Sequence, residues 1–221
     1  MVEEYNNIEI KDIPSVLKKE TLLERYLPLI DSGQRICTTL IEAGYTSSQS
    51  LLEITDIDSI NILANKIGID QYQLRLLRNL LKHHRFRPIP ISKLPDISQD
   101  FRITLKDNGF KSTLDVIKLL GQPAQRKNAG GYLDASMIDL ETVVSVSDLM
   151  RKPGVAKAKA RLFRAAGIFS LASLGSVEPV VFREKLAAIV QSSSIAKAIP
   201  TPKEVSSDIA WARIYPILVK L

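Results

Sequence analysis

The amino-acid sequence predicts an all-α protein, and three features support that fold class. Aromatic residues make up only 6% of the 221 residues, although the hydrophobic content is an ordinary 45%. That balance, rich in Leu, Ile and Ala, favours helix packing over a sheet sandwich. No alternating run of β-branched or aromatic residues persists long enough to indicate a strand. The third feature is a glycine that recurs where predicted helices end.

A sequence pattern that occurs in three segments predicts how these helices are organised. Residues 30–45, 95–110 and 153–168 each start with a tight turn, continue as a helix and stop at a glycine followed by one apolar residue. Glycine suits that place because it adopts the left-handed conformation that ends a helix. The three glycines are Gly44, Gly109 and Gly167. We therefore expect tandem helix-hairpin-helix-like units, of which the second and third pack as a pseudo-symmetric pair that buries apolar faces neither could cover alone.

Helix-breaking residues set the predicted boundaries. Residues 1–20 form an N-terminal arm, and residues 21–87 form the first unit. The run Arg87-Pro88-Ile89-Pro90 ends that unit, because each proline also disfavours helix at the residue before it. Residues 93–150 form the second unit. Residues 151–221 form the third, with a C-terminal helix and an apolar tail that we expect to pack on its own domain.

One segment of the third unit carries a family resemblance. Residues 146–168 read VSDLMRKPGVAKAKARLFRAAGI. This stretch resembles a bacterial domain-of-unknown-function family of the helix-hairpin-helix class, and the resemblance extends over about residues 93–213. It implies a helix-hairpin-helix fold and DNA binding, and it brings neither catalytic residues nor a cofactor.

The turn sequences distinguish the three units. A hairpin that binds nucleic acid needs glycines in its turn, so that the backbone and the free N–H groups of the next helix can approach a phosphate. The third unit keeps Gly154 and Val155 but has Ala156 at the position of the second glycine. The other two turns contain Asp31 and Asp96, whose negative charge would repel a phosphate. We therefore expect two structural hairpins and one phosphate site, in the third unit.

Basic residues cluster on two predicted helices, in a chain of net charge +6. No acidic residue lies between Leu149 and Val177, where Lys157, Arg161 and Arg164 share one helical face. The opposite face, with Ala158, Leu162 and Ala165, is expected to be buried. Residues 71–95 are also free of acids. The predicted nucleic-acid-binding residues are Lys152, Gly154, Val155, Ala156, Lys157, Lys159, Arg161, Arg164, Arg75, Arg78, Lys82, Arg85 and Arg87.

Each basic cluster has a simpler interpretation. The first is also compatible with a solvated helix face, although unpaired like charges one turn apart cost stability. The second could face an acidic partner, or the acidic residues 1–70 of the same chain. Trp211 is expected to anchor the core, and Cys37, in an apolar stretch, is expected to be buried.

The absence of other sequence motifs limits the possible functions. Phosphate-binding glycine loops, serine-hydrolase elbows and zinc-protease motifs are absent, so we expect no enzyme and no cofactor. Adjacent His83 and His84 do not suggest a metal site, because helical neighbours diverge by about 100°. With neither a secretory signal nor an apolar span, we expect a cytoplasmic protein without membrane contact. Two functions remain: binding of DNA or structured nucleic acid through the phosphate backbone with little sequence specificity, or a helical protein–protein adaptor in a larger assembly.

Overall fold

A computed structural model describes residues 5–221. Within that range every regular element is a helix and no strand is present, so the predicted all-α class is confirmed. The first four residues of the predicted N-terminal arm lie outside the described range. Between residues 5 and 221, none of the helices has the length and apolar character needed to cross a bilayer.

The α-helices of the described range fall into three runs of four. They are α1 (Gly33–Glu42), α2 (Ser48–Leu52), α3 (Ile57–Ile67), α4 (Gln71–His83), α5 (Gln99–Asp107), α6 (Thr113–Leu120), α7 (Pro123–Tyr132), α8 (Met137–Leu149), α9 (Lys157–Ala165), α10 (Leu171–Ser176), α11 (Pro179–Ser192) and α12 (Pro202–Ile214). Segments of 3-10 helix lie at Ile10–Val16, Glu24–Leu29 and Ile91–Lys93. In each run the fourth helix packs against both the second and the third. The fourth helices α4, α8 and α12 therefore organise the core.

Side-chain caps start most of these helices. Ser98 Oγ accepts the amide of Phe101 at the start of α5, at 3.2 Å. Thr201 and Glu204 form a reciprocal capping box at the start of α12, where Pro202 occupies the first helical position. Such caps satisfy amides that have no partner within the helix.

The predicted glycine turns are confirmed. Gly44, Gly109 and Gly167 have φ of +90°, +86° and +81°, in the left-handed region. The apolar residue after each glycine donates its N–H back to the helix, with the same N–O distance of 2.9 Å in all three. These donors are Tyr45, Phe110 and Ile168, and the acceptors are the carbonyls of Leu40, Leu105 and Phe163. The three helices α1, α5 and α9 thus end in the same way.

The segments that follow the glycines are held in two ways. In the first two runs, the fourth residue after the glycine donates its amide to an extended segment nearby in space: Ser48 to Ile8 O at 2.7 Å, and Thr113 to Ile89 O at 2.9 Å. In the third run, the equivalent amide of Leu171 donates instead to the carboxylate of Asp148 at 2.7 Å. In the third run, a side chain of α8 therefore accepts the bond that a backbone carbonyl of an extended segment accepts in the other two runs.

A buried hub around Arg151 joins distant parts of the chain. Its guanidinium donates to Asp148 Oδ1 at 2.9 Å, to Tyr5 O at 2.6 Å and to Pro216 O at 3.0 Å. Asn6 Oδ1 accepts a further bond at 3.0 Å. Arg151 and Asp148 are both almost fully buried. The hub therefore fixes the end of α8, and the turn that follows it, to segments before α1 and after α12.

Aromatic packing reinforces that junction. Trp211 of α12 is 1% exposed, which confirms it as a core residue, and it stacks on His84 with ring centroids 3.4 Å apart. His84 Nδ1 lies 2.6 Å from the hydroxyl of Tyr215. Burial lowers the pKa of His84 well below its ordinary value, and the positive charge of Lys152 lowers it further. Cys37 is buried in the core, as predicted.

The apolar tail packs on α6 and α7 rather than only on the helices of residues 151–214. Lys220 N donates to Gly121 O at 3.0 Å, and Arg126 Nη2 donates to Lys220 O at 2.6 Å. Gln122 Nε2 donates to Leu218 O at 3.3 Å. The tail therefore bridges the second and third helix runs.

Candidate nucleic-acid interface

The turn before α9 leaves the start of that helix open. Gly154 has a φ of +85°, and the amide of Val155 closes the turn on Lys152 O at 3.1 Å. Ala156 precedes the helix and offers no capping side chain. The amides of the first turn, beginning at Lys157, are therefore available to an external acceptor. Val155 is buried, whereas Gly154, Ala156 and Lys157 are exposed.

The starts of α1 and α5 differ from this arrangement. Helix α1 also lacks a side-chain cap, but Ser32 and Gly33 at its start are buried. A Cβ built on Gly33 would meet the side chain of Leu17. Helix α5 is capped by Ser98. Of the three turns, the one before α9 alone combines an uncapped helix start with exposure to solvent.

A groove of about 570 Å³ runs alongside this turn. One wall is the linker that follows α4, with Arg85, Arg87 and Lys93, and the other is the segment from Met150 to Lys157. We call it the basic groove, because its lining includes these cations and Lys157 but, within the described part of the chain, no acidic residue. His83 also lines it, and burial together with the charges of Arg25, Arg87 and Lys152 lowers the pKa of that histidine.

Two of the predicted site lysines pair with one buried carboxylate. Lys152 Nζ lies 2.5 Å from Asp208 Oδ1, and Lys159 Nζ pairs with Asp208 Oδ2. Lys152 and Asp208 are both buried, and burial lowers the pKa of Lys152 although Asp208 opposes that shift. These lysines attach the turn and α9 to α12.

Arg161 and Arg164 lie on the predicted face of α9, and both contact one carboxylate. Arg161 Nε is 2.7 Å from Asp96 Oδ1, and Arg164 Nη1 is 3.3 Å from Asp96 Oδ2. Arg164 Nη2 also donates to Thr142 Oγ1 at 3.0 Å. Lys157, one turn earlier on this face, lines the basic groove.

The prediction of which face of α9 is buried was partly wrong. Ala158 and Ala165 are exposed, and only Leu162 of the three residues is buried. The helix packs against α8 and α11, so its buried side is centred on Ala160 and Phe163 instead.

The profile of a family described as a domain of unknown function (DUF4332) matches residues 95–214, more than half of the chain. The chain belongs to this family. This match confirms the predicted resemblance of residues 93–213 to a domain-of-unknown-function family. The helix-hairpin-helix class stays a prediction. Neither the curated proteins nor the solved structures provide a match.

The DUF4332 match covers α5 to the end of α12 and therefore contains only one wall of the basic groove. Gly154 and Lys157 lie inside the DUF4332 domain, whereas Arg85, Arg87 and Lys93 precede it. Lys93 was not among the predicted site residues. It lies in the acid-free run of residues 71–95, so that run was the signal for it.

The other basic residues of α4, outside the DUF4332 domain, have mixed roles. Arg78 donates to Ile54 O at 3.0 and 2.7 Å and to Thr55 O at 3.1 Å, so its guanidinium supports the loop after α2. Arg75 Nε donates to the carbonyl of Gln71 in its own helix. Lys82 is exposed. The structure thus brings Arg85 and Arg87 to the turn before α9 but leaves Arg75 and Arg78 in local contacts.

Proposed function

We propose that this protein binds nucleic acid non-catalytically through the phosphate backbone, with little sequence specificity. The observation that carries the proposal is the basic groove, where cations from two separate parts of the chain face an uncapped helix start and, among residues 5–221, no acidic residue lines the groove. Phosphates are bound by such cations and by helix N-termini. We further propose that the three runs are tandem helix-hairpin-helix-like units, supported by the shared glycine turns.

Low sequence specificity is expected from the kinds of group in the groove. Lysine side chains and backbone amides contact phosphate oxygens, which are the same for every base. The first turn of α9 adds the positive end of the helix dipole, which favours an anion. Because the buried hub and the Lys152–Asp208 pair fix the turn, these groups are held in place before a ligand arrives.

The test is fluorescence anisotropy of a labelled blunt duplex across a salt series. Contacts from Arg87, Lys93 and Lys157 predict a slope of log affinity against log salt of about −3. The triple change of these residues to alanine should abolish most of that slope while the protein keeps its melting temperature.

A matched control removes the same charge elsewhere. Lys66, Lys106 and Lys127 are exposed on α3, α5 and α7 and do not line the groove. Their triple alanine variant should keep most of the affinity and slope. Equal losses in both variants would show that overall charge, rather than the basic groove, attracts the duplex. Absence of wild-type binding at low salt would refute the proposal.

A helical adaptor is the second candidate, favoured by an exposed apolar surface. Ile138 is 76% exposed and Leu221 is 49% exposed, and both line a cavity of about 330 Å³ beside α8. Exposed apolar side chains around a concavity are typical of protein contacts. An adaptor complex through this surface should persist at high salt and survive the groove triple variant, whereas Ile138→Asp should abolish it.

A further inference from the structure

We propose that a pocket at the far end of α9 receives an unpaired nucleotide, with its base on Phe169 and its phosphate on Arg161 and Arg164. The inference rests on the proposed function and narrows the ligand to nucleic acid in which a single-stranded segment adjoins a duplex. The pocket has a volume of about 520 Å³ and lies between α9, Asp96 and the loop at Ser194–Ile195.

Phe169 differs from the other phenylalanines of the chain. It is 46% exposed, whereas the other five are buried. Phe169 borders the pocket together with Arg161 and Arg164, so an aromatic residue and two arginines line one concavity. Unpaired bases stack on exposed aromatic rings next to cations that hold the backbone. A free aromatic face beside two arginines is therefore suited to a nucleotide.

Asp96 shows that the two arginines can share one oxyanion. Its two carboxylate oxygens contact Arg161 Nε at 2.7 Å and Arg164 Nη1 at 3.3 Å. A phosphate presents the same kind of acceptor to guanidinium groups. Asp96 has a φ of +58°, which aspartate and asparagine adopt more readily than other residues with a side chain, and its side chain is 34% exposed. The carboxylate can therefore turn towards solvent when a phosphate takes its place.

The helix links this pocket to the basic groove. Lys157 lines the groove, and Arg161 and Arg164 follow it on the same face of α9. Seven residues of helix rise about 10 Å. That distance corresponds to roughly three nucleotides, at about 3.4 Å per nucleotide along one strand. A strand that leaves a duplex at the groove would reach Phe169 within a few nucleotides.

The experiment compares three labelled probes by anisotropy at constant salt: a blunt duplex, the same duplex with a four-nucleotide overhang, and the same overhang without bases. One stacked base predicts that the normal overhang binds at least about fivefold more tightly than the same overhang without bases, which keeps the phosphate contacts. Phe169→Ala should remove this gain and leave the blunt-duplex affinity unchanged. Tyr132→Ala, which truncates a comparably exposed aromatic residue of α7 outside the pocket, should keep the gain.

A second variant tests the phosphate half of the site. Asp96→Asn removes the competing charge, and asparagine tolerates a positive φ. We expect it to bind the overhang probe about two- to fivefold more tightly, the usual scale of an exposed charge pair. Blunt-duplex affinity should not change. If Asp96 were only a structural tie, the variant would melt lower without binding more tightly.

The outcomes separate this inference from the proposed function. Equal binding of the overhang with and without bases, or a base-dependent gain that persists in Phe169→Ala, overturns the nucleotide pocket and leaves phosphate binding by the groove intact. Failure of all three probes to bind overturns both. A gain that needs both the bases and Phe169 establishes the pocket.

Discussion

Replacing Asp148 by asparagine should destabilise the protein by breaking the buried hub around Arg151. The substitution keeps the shape of the side chain but removes the charge that accepts bonds from Arg151 and from the amide of Leu171. Asp148 is 2% exposed and Arg151 is 1% exposed, so water cannot replace the lost acceptor. Removing one partner of a buried ion pair costs about 3–5 kcal/mol, because the other charge stays buried alone.

That cost is large compared with the free energy of unfolding of a typical protein, about 5–15 kcal/mol. For a chain of this size it corresponds to a decrease in melting temperature of about 6–20 °C. The measurement is urea and thermal unfolding followed by circular dichroism, with wild type and variant at the same pH. Phosphate binding should weaken as well, because Arg151 immediately precedes the turn at Gly154.

An exposed ion pair provides the matched control. Glu9 and Lys11 lie 3.5 Å apart, with side chains 58% and 67% exposed. Glu9→Gln should therefore change the free energy of unfolding by less than about 1 kcal/mol. A loss in Asp148→Asn no greater than this control would refute the reasoning, since it would mean that the hub tolerates an unpaired Arg151.

Three further predictions concern stability and reactivity. Gly109→Ala should lower the free energy of unfolding by about 1–2 kcal/mol, because φ is positive there while space for a methyl group is available. The control Gly131→Ala, within α7, should not destabilise the protein. Equal losses of both variants in urea unfolding would contradict this reasoning. The lowered pKa of His84 means that the unfolded chain takes up a proton first, so stability should fall as pH drops below about 6.5, by up to about 1.4 kcal/mol per pH unit. His84→Gln should flatten that decline between pH 6.5 and 5.5, and an unchanged slope would assign it to another group. Burial raises the pKa of Cys37 to about 12, so a thiol reagent at pH 8 should label it only after denaturation, and rapid labelling of the native protein would contradict that burial.

Local signals made much of the fold predictable. The glycines that end α1, α5 and α9 were identified from sequence because a left-handed helix end requires that residue type. Cys37 was placed in the core because its neighbours in sequence are apolar, and Trp211 was expected there from its position on the last helix; both are buried. Each of these features depends on residues within one or two turns of one another.

The site was less predictable because its electrostatics depend on contacts between distant residues. Asp96 lies 65 residues before Arg161 and 68 before Arg164, and no pattern in either segment indicates that they meet. Lys152 and Lys159 were predicted to face a ligand, but Asp208 of the last helix pairs with both. A count of charges along the chain identifies basic helices, whereas pairing across the fold determines which of their charges stay exposed.

The hub also has a consequence for how the protein folds during synthesis. In an open array of repeats, each unit contacts only its neighbours and can fold as soon as it emerges. Here Arg151 donates to a carbonyl 146 residues earlier and to another 65 residues later. The junction therefore stays incomplete until Pro216 has left the ribosome, however early α1 to α4 form. Contacts over such separations slow folding and couple the units. We expect the three runs to unfold in one transition, unlike a repeat array that frays from its ends.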